Sequence, residues 1–327
     1  MSEPTTATRK RRDEAARAAW LYFVAGRTQD EIAARLDLSR QAVQRLVALA
    51  VSERLIKFRR DHPIAACMAL GDRLERRFDL DFADVVPSDP AAPGFVGGIA
   101  AAAAERLQRL LASRAPVVLC VGTGRAMRAA VEQMAELDRP QHKIVSLVGA
   151  MAAGGPASPY DVAMRLGDKV GAERYPMPAP PVADTVADRE ALQNQRAFRV
   201  SRELRERANA SYVGIGGIGW RSPMHVDGFL TDEDVAELVT AGAVGEITGW
   251  PFDAAGRLLA TPVTERTASL PLEVPPRRPT VVVGCGPAKV VPLRAALAGG
   301  LATALVTDEA TATALVDALP VSTTGDP

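Results

Sequence analysis

The sequence of 327 residues contains little cysteine and no long apolar run. Its three cysteines, Cys67, Cys120 and Cys285, are widely separated and form no paired ligand pattern, which argues against a disulfide framework or a cysteine-based metal site. The apolar stretches fall short of the roughly 18 residues that a membrane-spanning helix needs. The first residues, MSEPTTATRKRRDEAAR, carry charge but lack the apolar core of a secretory signal. We therefore expect a cytoplasmic protein with no membrane partner, no metal and no cofactor.

The chain also lacks net charge, because its 39 Lys and Arg residues balance its 39 Asp and Glu residues. The balance conceals an uneven distribution along the chain. Residues 1–60 hold 13 Lys and Arg against 7 Asp and Glu, a net charge of +6, and residues 61–327 carry the compensating −6. A basic segment beside an acidic one is expected when only one end of a protein binds phosphate. Because the chain exceeds the length of one typical domain, we expect a DNA-binding domain over 1–60 and a larger domain over 61–327.

Residues 28–50, TQDEIAARLDLSRQAVQRLVALA, predict two short helices joined by a tight turn. Thr28 and Glu31 stand three residues apart, as in a capping box that starts the first helix. Asp37 falls at the turn, and aspartate is one of the few non-glycine residues that tolerates the left-handed conformation. Ser39 is placed to cap the second helix. This arrangement is typical of a helix-turn-helix.

The second of these helices has two distinct faces. Its apolar positions recur at helical spacing and are Val43, Leu46, Val47 and Ala50. The other face is rich in Arg and Gln, whose side chains can pair with guanine and adenine in the major groove. Basic residues that could contact phosphates flank the helices and are Arg9, Lys10, Arg11, Arg12, Lys57, Arg59 and Arg60.

We therefore predict a DNA-binding helix-turn-helix in the basic segment. Its predicted DNA contacts are Thr28, Ser39, Arg40, Gln41, Gln44, Arg45, Arg59 and Arg60. The alternative is an ordinary helical hairpin whose Arg and Gln side chains are only solvated.

A third helix is expected before this pair, because apolar residues recur at helical spacing from Ala16 to Val24. We place Trp20 and Phe23 in a small three-helix core. Residues 55–58 resemble a short extended piece, which would make the domain similar to a winged helix. About sixty residues are marginal for independent stability, so we expect this domain to pack on a partner copy or on the larger domain.

The larger domain alternates apolar strand-like segments with helix-like segments. A joining helix is expected over 64–78, strands over 117–121, 143–148, 211–215, 280–283 and 301–306, and helices over about 125–137, from near 160, and over 188–208, 231–241, 287–298 and 309–318. Continuous apolar strands between helices indicate an α/β domain with a Rossmann-like parallel sheet covered on both faces. The segment from Glu246 to Leu259 is instead typical of an inserted hairpin.

Glycine-rich loops follow four of the expected strands, at 122–124, 149–155, 214–219 and 284–286. In open α/β sheets, ligands bind where the carboxyl ends of the strands meet. Backbone amides in such loops, together with a helix dipole, can hold an anion or a sugar hydroxyl. None of these loops is a P-loop or a convincing dinucleotide fingerprint. Single glycines at such turns often serve geometry alone, but four loops together predict a small-molecule pocket.

The motifs of the basic segment over 1–60 (the head) and of the larger domain over 61–327 (the body), taken in order, resemble those of the SorC-type (DeoR/SorC) sugar-binding transcriptional regulators of bacteria. The resemblance spans nearly the whole chain, from AAWLYFVAGRTQDEIAARLDLSRQAVQRLVALAVSERLIKF to VGTG, GIGGIG, GAVGEITGWPFDAAG and VVVGCGPAK. It implies a body related to sugar-phosphate isomerases and glucosamine-phosphate deaminases that now senses an effector. It also implies dimers or tetramers that bind palindromic operators. The resemblance thus points to a regulator of a sugar or polyol catabolic operon, whose operator affinity depends on a carbohydrate, free or phosphorylated.

The resemblance also implies particular effector contacts. Glu246 matches an acidic residue that family members place against sugar hydroxyls, and Lys289 matches a lysine after the last glycine loop. A carboxylate accepts hydrogen bonds from two hydroxyls, and a lysine beside a helix start can hold a phosphate or a hydroxyl. The alternatives are a surface carboxylate and a solvated lysine. The full set of candidate contacts is Gly122, Thr123, Gly124, Arg221, His225, Glu246 and Lys289, of which His225 is more typical of a structural histidine.

One loop departs from the family pattern. Residues 148–155, VGAMAAGG, contain no basic residue, although relatives that sense phosphosugars tend to have an arginine there. We therefore expect an unphosphorylated sugar or polyol, with its hydroxyls held by Thr123, Glu246 and Lys289.

An enzyme of the isomerase or deaminase type is the alternative from another class. Such chemistry needs a base beside the reacting carbons. The three histidines, His62, His142 and His225, adjoin no acid–base pair within a pocket motif. Glu246 could act as a base, so the sequence leaves activity open while favouring a regulator without catalysis.

Overall fold

The computed structural model describes residues 6–23, 25, 27–53, 55, 64–149, 151 and 161–317. The chain divides into two compact units, Met1–His62 and Pro63–Pro327. This division lies two residues beyond the expected boundary at residue 60. The expected wing residues 56–58, the phosphate contacts Arg59 and Arg60, and most of the glycine loop at 149–155 lie outside the described residues.

The first unit contains the three expected helices, α1 (Thr6–Phe23), α2 (Gln29–Leu36) and α3 (Arg40–Ser52). The capping box is present: the Glu31 N–H donates to Thr28 Oγ1 at 3.3 Å, and the Thr28 N–H donates to Glu31 Oε2 at 2.8 Å. Asp37 adopts the left-handed conformation, with φ of 53° and ψ of 49°. Ser39 Oγ accepts from the Ala42 N–H at 3.2 Å. The expected helix-turn-helix geometry therefore forms from local interactions.

The core of this unit differs from expectation on α1. Helix α3 buries the four predicted apolar residues, but the prediction for Trp20 and Phe23 was wrong, since they are 55% and 39% exposed. The buried face of α1 is instead formed by small residues and one leucine, namely Ala15, Ala18, Ala19 and Leu21. The alanines allow α1 to lie close to α3, and the aromatic rings consequently lie on the outer side of the helix.

Within the described residues, the second unit contains a seven-stranded, all-parallel sheet with the order β1-β10-β9-β5-β2-β3-β4. Its strands are β1 (Phe82–Val86), β2 (Val118–Val121), β3 (Lys143–Ser146), β4 (Glu173–Tyr175), β5 (Ala210–Val213), β9 (Thr280–Val283) and β10 (Ala304–Asp308). The predicted parallel sheet is confirmed, and the edge strands β1 and β4 are additions that the sequence analysis did not anticipate.

The helices of this unit are α4 (Ile64–Phe78), α5 (Gly97–Leu111), α6 (Arg125–Gln133), α7 (Val162–Val170), α8 (Val186–Gln193), α9 (Arg196–Glu206), α10 (Pro223–Val226), α11 (Asp232–Thr240), α12 (Pro262–Arg266), α13 (Val290–Ala298) and α14 (Glu309–Asp317). A 3₁₀ turn, Pro287–Lys289, precedes α13. The helix predicted over 188–208 is divided into α8 and α9, because Gln195 is extended, with φ of −66° and ψ of 145°. The break allows α9 to bury Phe198, whereas α8 buries no side chain.

Two apolar clusters cover the two faces of the sheet. Alternate residues of β2 point in opposite directions, so that Leu119 and Val121 belong to one cluster and Cys120 belongs to the other. In β5, likewise, Tyr212 belongs to the cluster of Leu119 and Val121, and Val213 belongs to the cluster of Cys120. Both faces are apolar, which explains why the strands read as continuous apolar runs in the sequence.

A small antiparallel sheet, β6 (Gly216–Gly217), β7 (Gly245–Ile247) and β8 (Trp250–Phe252), lies apart from the main sheet. The predicted hairpin is present: β7 and β8 are joined by a tight turn at Thr248 and Gly249, with φ of 52° and 87°, and a second turn after Phe252 leads to an isolated bridge between Phe252 and Leu258. Two successive positive φ values are typical of the two-residue turns that match the twist of a hairpin. Because β9, β5 and β2 are neighbours, the glycine loops that follow them meet at one edge of the main sheet.

Candidate effector-binding site

A cavity of about 240 Å³ lies where the carboxyl ends of β2, β5 and β9 meet. Its walls come from the three glycine loops, the β7–β8 hairpin and the segment that contains α10. Pockets for drug-sized ligands usually measure about 300–1,000 Å³, so this cavity suits a smaller molecule. The predicted pocket at the strand ends is therefore present in the fold.

Two glycine loops present backbone amides at the cavity. Gly124 precedes α6 with φ of 117°, and Gly286 precedes the 3₁₀ turn with φ of 102°, a region that only glycine adopts readily. Neither helix start has a side-chain cap. The first amides of α6 are therefore available to a ligand oxygen, and the helix dipole favours partial negative charge there.

Glu246, on β7, forms part of the cavity wall. Its Oε2 accepts a hydrogen bond from the Gly249 N–H at 2.9 Å, so the hairpin turn fixes one carboxylate oxygen. Gly216 on the adjacent strand provides the space, because a Cβ at that position would overlap Oε1 of Glu246 and lie 2.9 Å from its Cδ. Burial raises the pKa of Glu246, while the Gly249 N–H and the charge of Lys289 act in the opposite direction.

Lys289 reaches the same cavity from the end of the 3₁₀ turn. Burial lowers the pKa of its ammonium group, and the neighbouring Glu246 carboxylate partly restores it. The two groups interact electrostatically, yet among the described residues no hydrogen bond or ion pair joins them directly. A ligand hydroxyl can therefore accept from Lys289 and donate to Glu246 at the same time.

The other candidate contacts divide into two groups. Thr123 and Gly124 line the cavity, whereas Gly122 lies behind them, where its N–H donates to the Tyr212 carbonyl oxygen at 2.9 Å. Arg221 is exposed and does not line the cavity.

His225 also lies outside the cavity lining. Its Nδ1 is 2.7 Å from the Trp220 carbonyl oxygen, and its Nε2 is 2.7 Å from Asp232 Oδ1. Both partners only accept hydrogen bonds, so the imidazolium form satisfies both. Asp232 first, and then the Trp220 carbonyl, raise the pKa of His225. This pattern is that of a structural histidine, which fastens α10 to the start of α11.

Several residues of the cavity wall carry no recognisable signal in the sequence. Asp227 and Phe229 follow α10, and Thr248 lies at the hairpin turn. Thr248 is notable because a β-branched residue at φ of 52° is strained, and its buried hydroxyl has no hydrogen-bond partner among the described residues. No motif marks Asp227 in the sequence, and only the fold of the segment around α10 brings it to the cavity.

The exposed face of α3 carries the predicted base-reading residues. Arg40, Gln41, Gln44 and Arg45 are all exposed, opposite the buried stripe. Arg45 Nε donates to the Gln41 carbonyl oxygen at 3.3 Å, and Arg40 Nη1 lies 3.6 Å from Asp30 Oδ2. These exposed contacts are weak and can exchange for contacts with DNA.

The described residues contain no cluster of three or more His, Cys, Asp or Glu side chains that could hold a metal ion. Across the same ranges, none of the helices combines the length and the apolar character needed to traverse a lipid bilayer.

An α/β body with a ligand cavity at its strand ends, preceded by a helix-turn-helix, defines a ligand-responsive DNA-binding regulator. A family model described as "Putative sugar-binding domain" matches residues 62–317. The chain is 35% identical over 303 residues to the erythritol catabolism regulatory protein EryD of Brucella abortus, covering 92% of this chain and 96% of that protein. It is 28% identical over 306 residues to the transcriptional regulator LsrR of Klebsiella pneumoniae, covering 92% of each.

The fold is similar to that of the full-length sorbitol operon regulator SorC of Klebsiella pneumoniae, with a TM-score of 0.73 and 22% identity over 92% of this chain and 97% of that one. The chain belongs to this sugar-binding domain family and is a SorC-type transcriptional regulator. The resemblance stated from the sequence motifs is confirmed.

Proposed function

We propose that this regulator controls a polyol catabolic operon and that a short polyol bound in the cavity alters its affinity for operator DNA. The observation that carries the proposal is the pair Glu246 and Lys289, which share the cavity without closing into an ion pair. A chain of hydroxyls can bridge such a pair, because each hydroxyl both donates and accepts. The name of EryD, which refers to erythritol catabolism, supports a small polyol.

The remaining polar groups of the cavity fit the same ligand. Thr123 and the first amides of α6 provide further hydrogen-bonding groups, and Gly124 keeps the space beside them open. Phe229 adds an apolar surface for the C–H groups of the ligand. A small number of convergent polar groups within an otherwise apolar cavity is the usual composition of a specific small-molecule site.

DNA binding is assigned to the first unit. In this proposal Gln41, Gln44 and Arg45 read base edges from α3, and Arg40 contacts the backbone at its start. Thr28 and Ser39 already accept hydrogen bonds from the helix amides, so their role is to hold the helix starts beside phosphates. Arg59 and Arg60 remain proposed phosphate contacts.

A homo-oligomer completes the proposal. A single α3 covers one half-site, and palindromic operators require two heads related by two-fold symmetry. The polyol then acts by binding one quaternary arrangement more tightly than another. Whether that arrangement holds or releases DNA follows from which state the ligand favours.

Catalysis by an isomerase or deaminase is the second candidate, and the enclosed carboxylate of Glu246 is the observation in its favour. Against it, no histidine of the described residues lines the cavity. His142 is fully buried elsewhere, where its Nδ1 accepts from the Val117 N–H at 3.1 Å and its Nε2 lies 3.0 Å from the Leu111 carbonyl oxygen. We therefore propose a sensor without enzymatic activity.

The test is a fluorescence anisotropy titration of the full-length protein with DNA from upstream of its own gene. Neutral polyols of four to six carbons and their monophosphates are added in turn, with random duplex as the control. We expect at least one compound to change the specific affinity about tenfold while leaving random duplex unaffected. A protein that binds no upstream fragment at low salt, or that turns over a sugar phosphate, contradicts the proposal.

A further inference from the structure

Asp227 is the second carboxylate of the cavity wall. It is the C-cap residue of α10, and its backbone N–H donates to the Pro223 carbonyl oxygen at 2.8 Å. Within the described part of the chain, its side chain forms no hydrogen bond or ion pair. This contrasts with Glu246, whose carboxylate is held by a backbone amide and by the field of Lys289. Asp227 therefore has carboxylate oxygens that the described residues leave without a hydrogen-bond donor, at the wall of the cavity.

The segment that carries Asp227 is firmly anchored on both sides. His225 connects it to Trp220 and to Asp232 at the start of α11. Met224 packs against the apolar cluster that contains Val182, Leu230, Val235, Leu238 and Val263. The backbone of such a segment cannot withdraw from the cavity without disrupting these contacts, so the position of Asp227 at the wall is fixed.

The charges of the cavity decide what can bind beside Asp227. Two cations, Lys289 and the exposed Arg125, face two carboxylates, Asp227 and Glu246. A phosphate ester carries about −1.5 to −2 charges at neutral pH and would meet a carboxylate on two walls. A neutral polyol instead donates one hydroxyl hydrogen to each carboxylate and accepts from Lys289. The two cations offset the two carboxylates overall, but Asp227 is paired with no cation of the described residues, so beside Asp227 a hydroxyl is favoured over a phosphate.

We propose that Asp227 is a specificity-determining residue that selects uncharged polyols and rejects their phosphate esters. Its carboxylate accepts hydrogen bonds from ligand hydroxyls that Glu246 does not reach. The inference rests on the proposed function, because it assigns the ligand class of the same cavity. It agrees with the absence of a basic residue from the loop at 148–155.

The experiment uses isothermal titration calorimetry of the full-length protein with erythritol and with erythritol monophosphate. Asp227→Asn removes the charge and keeps the shape, and Asp227→Ala removes both. Glu233→Gln is the matched control, because it removes the same charge from an exposed residue in the first turn of α11, outside the cavity lining. Thermal unfolding of each variant verifies that the fold is retained.

We expect the wild type to bind the neutral polyol at least tenfold more tightly than its phosphate. Asp227→Asn should reduce that ratio of affinities tenfold or more, because it weakens binding of the polyol and strengthens binding of the phosphate. Glu233→Gln should leave the ratio unchanged. The inference about Asp227 is overturned if the wild type prefers the phosphate, or if the ratio is unaltered in both Asp227 variants. In either case the proposed function still holds if the phosphate changes the affinity for DNA. Binding of neither compound, nor of any other member of the polyol series, overturns both.

Discussion

Replacing Gly216, itself a residue of the cavity wall, by alanine tests the central carboxylate by displacing it. The added Cβ would overlap Oε1 of Glu246 and lie 3.1 Å from its Cγ, so the carboxylate must move until ordinary van der Waals contact is restored. Glu246 is flexible enough to move, and we therefore expect the variant to fold. The displaced side chain loses its hydrogen bond from the Gly249 N–H, and because the acceptor is a carboxylate this loss costs about 1.5–3 kcal/mol of unfolding free energy.

The cost to ligand binding should be similar in size to the cost to stability. A hydrogen bond to a charged group contributes about 1.5–3 kcal/mol, and about 1.4 kcal/mol corresponds to a tenfold change in Kd. The Gly216→Ala variant should therefore bind its polyol about 10- to 100-fold more weakly in calorimetry, with its affinity for operator DNA in the absence of polyol unchanged.

A matched control lies in the same short strand. A Cβ at Gly217 would meet nothing closer than the Ala288 carbonyl oxygen at 3.9 Å, so Gly217→Ala should bind like the wild type. If Gly216→Ala retained wild-type affinity, Glu246 could not be the carboxylate that holds the ligand. If Gly217→Ala were equally impaired, the effect would belong to the strand backbone and not to the carboxylate.

Four further substitutions address the DNA-binding unit, the larger domain and the segment around α10. Gln44→Ala should lower the free energy of binding to the specific operator by about 1–3 kcal/mol, because it loses base contacts. Arg59→Ala should weaken binding to specific and to random duplex DNA equally in anisotropy titrations. His142→Ala should lower the unfolding free energy in urea by about 2–4 kcal/mol, because it leaves a buried amide and a buried carbonyl unpaired and opens a cavity. Asp232→Asn should flatten the pH dependence of thermal unfolding that arises from His225, whose pKa is raised in the folded state.

The sign of the last effect follows from linkage. A raised pKa in the folded protein stabilises it fully below the unfolded value of 6.5, and that contribution is lost as the pH rises through the folded pKa. The wild type should therefore lose more thermal stability than Asp232→Asn as the pH rises above 6.5. Equal slopes for the two proteins would show that Asp232 does not hold His225 protonated. For the head, an equal loss of affinity for specific and for random duplex DNA in Gln44→Ala would contradict the proposed contact between Gln44 and a base.

The accuracy of the sequence-based predictions depends on the distance over which each interaction acts. The capping box of Thr28 and Glu31 and the left-handed Asp37 were predicted correctly, because these features depend on residues within one or two turns. The prediction that Trp20 and Phe23 lie on the buried side of α1 was wrong, because two overlapping apolar stripes satisfy the helical period. Only the close approach of α3 selects the stripe of alanines.

The sheet shows the same limit. Its central strands were recognised as apolar runs, whereas β1 was missed because Asp84 interrupts it and is paired with Arg106 across the sheet surface. Strand β4 was missed because it is a three-residue edge strand with two exposed residues. Edge strands need apolar character on fewer sides, so their sequences carry a weaker signal.

Read without coordinates, the chain already defined its helix caps, its glycine loops after apolar strands and the chemical groups available for DNA and for a carbohydrate. These features are local, since backbone preferences and short hydrogen bonds act over a few residues. The tertiary structure alone decided which groups meet: it brings Asp227 into the cavity with Glu246 and Lys289 and leaves Arg221 and His225 outside it. Strand order and the orientation of a short helix depend on contacts between residues far apart in the chain, and no local pattern encodes them.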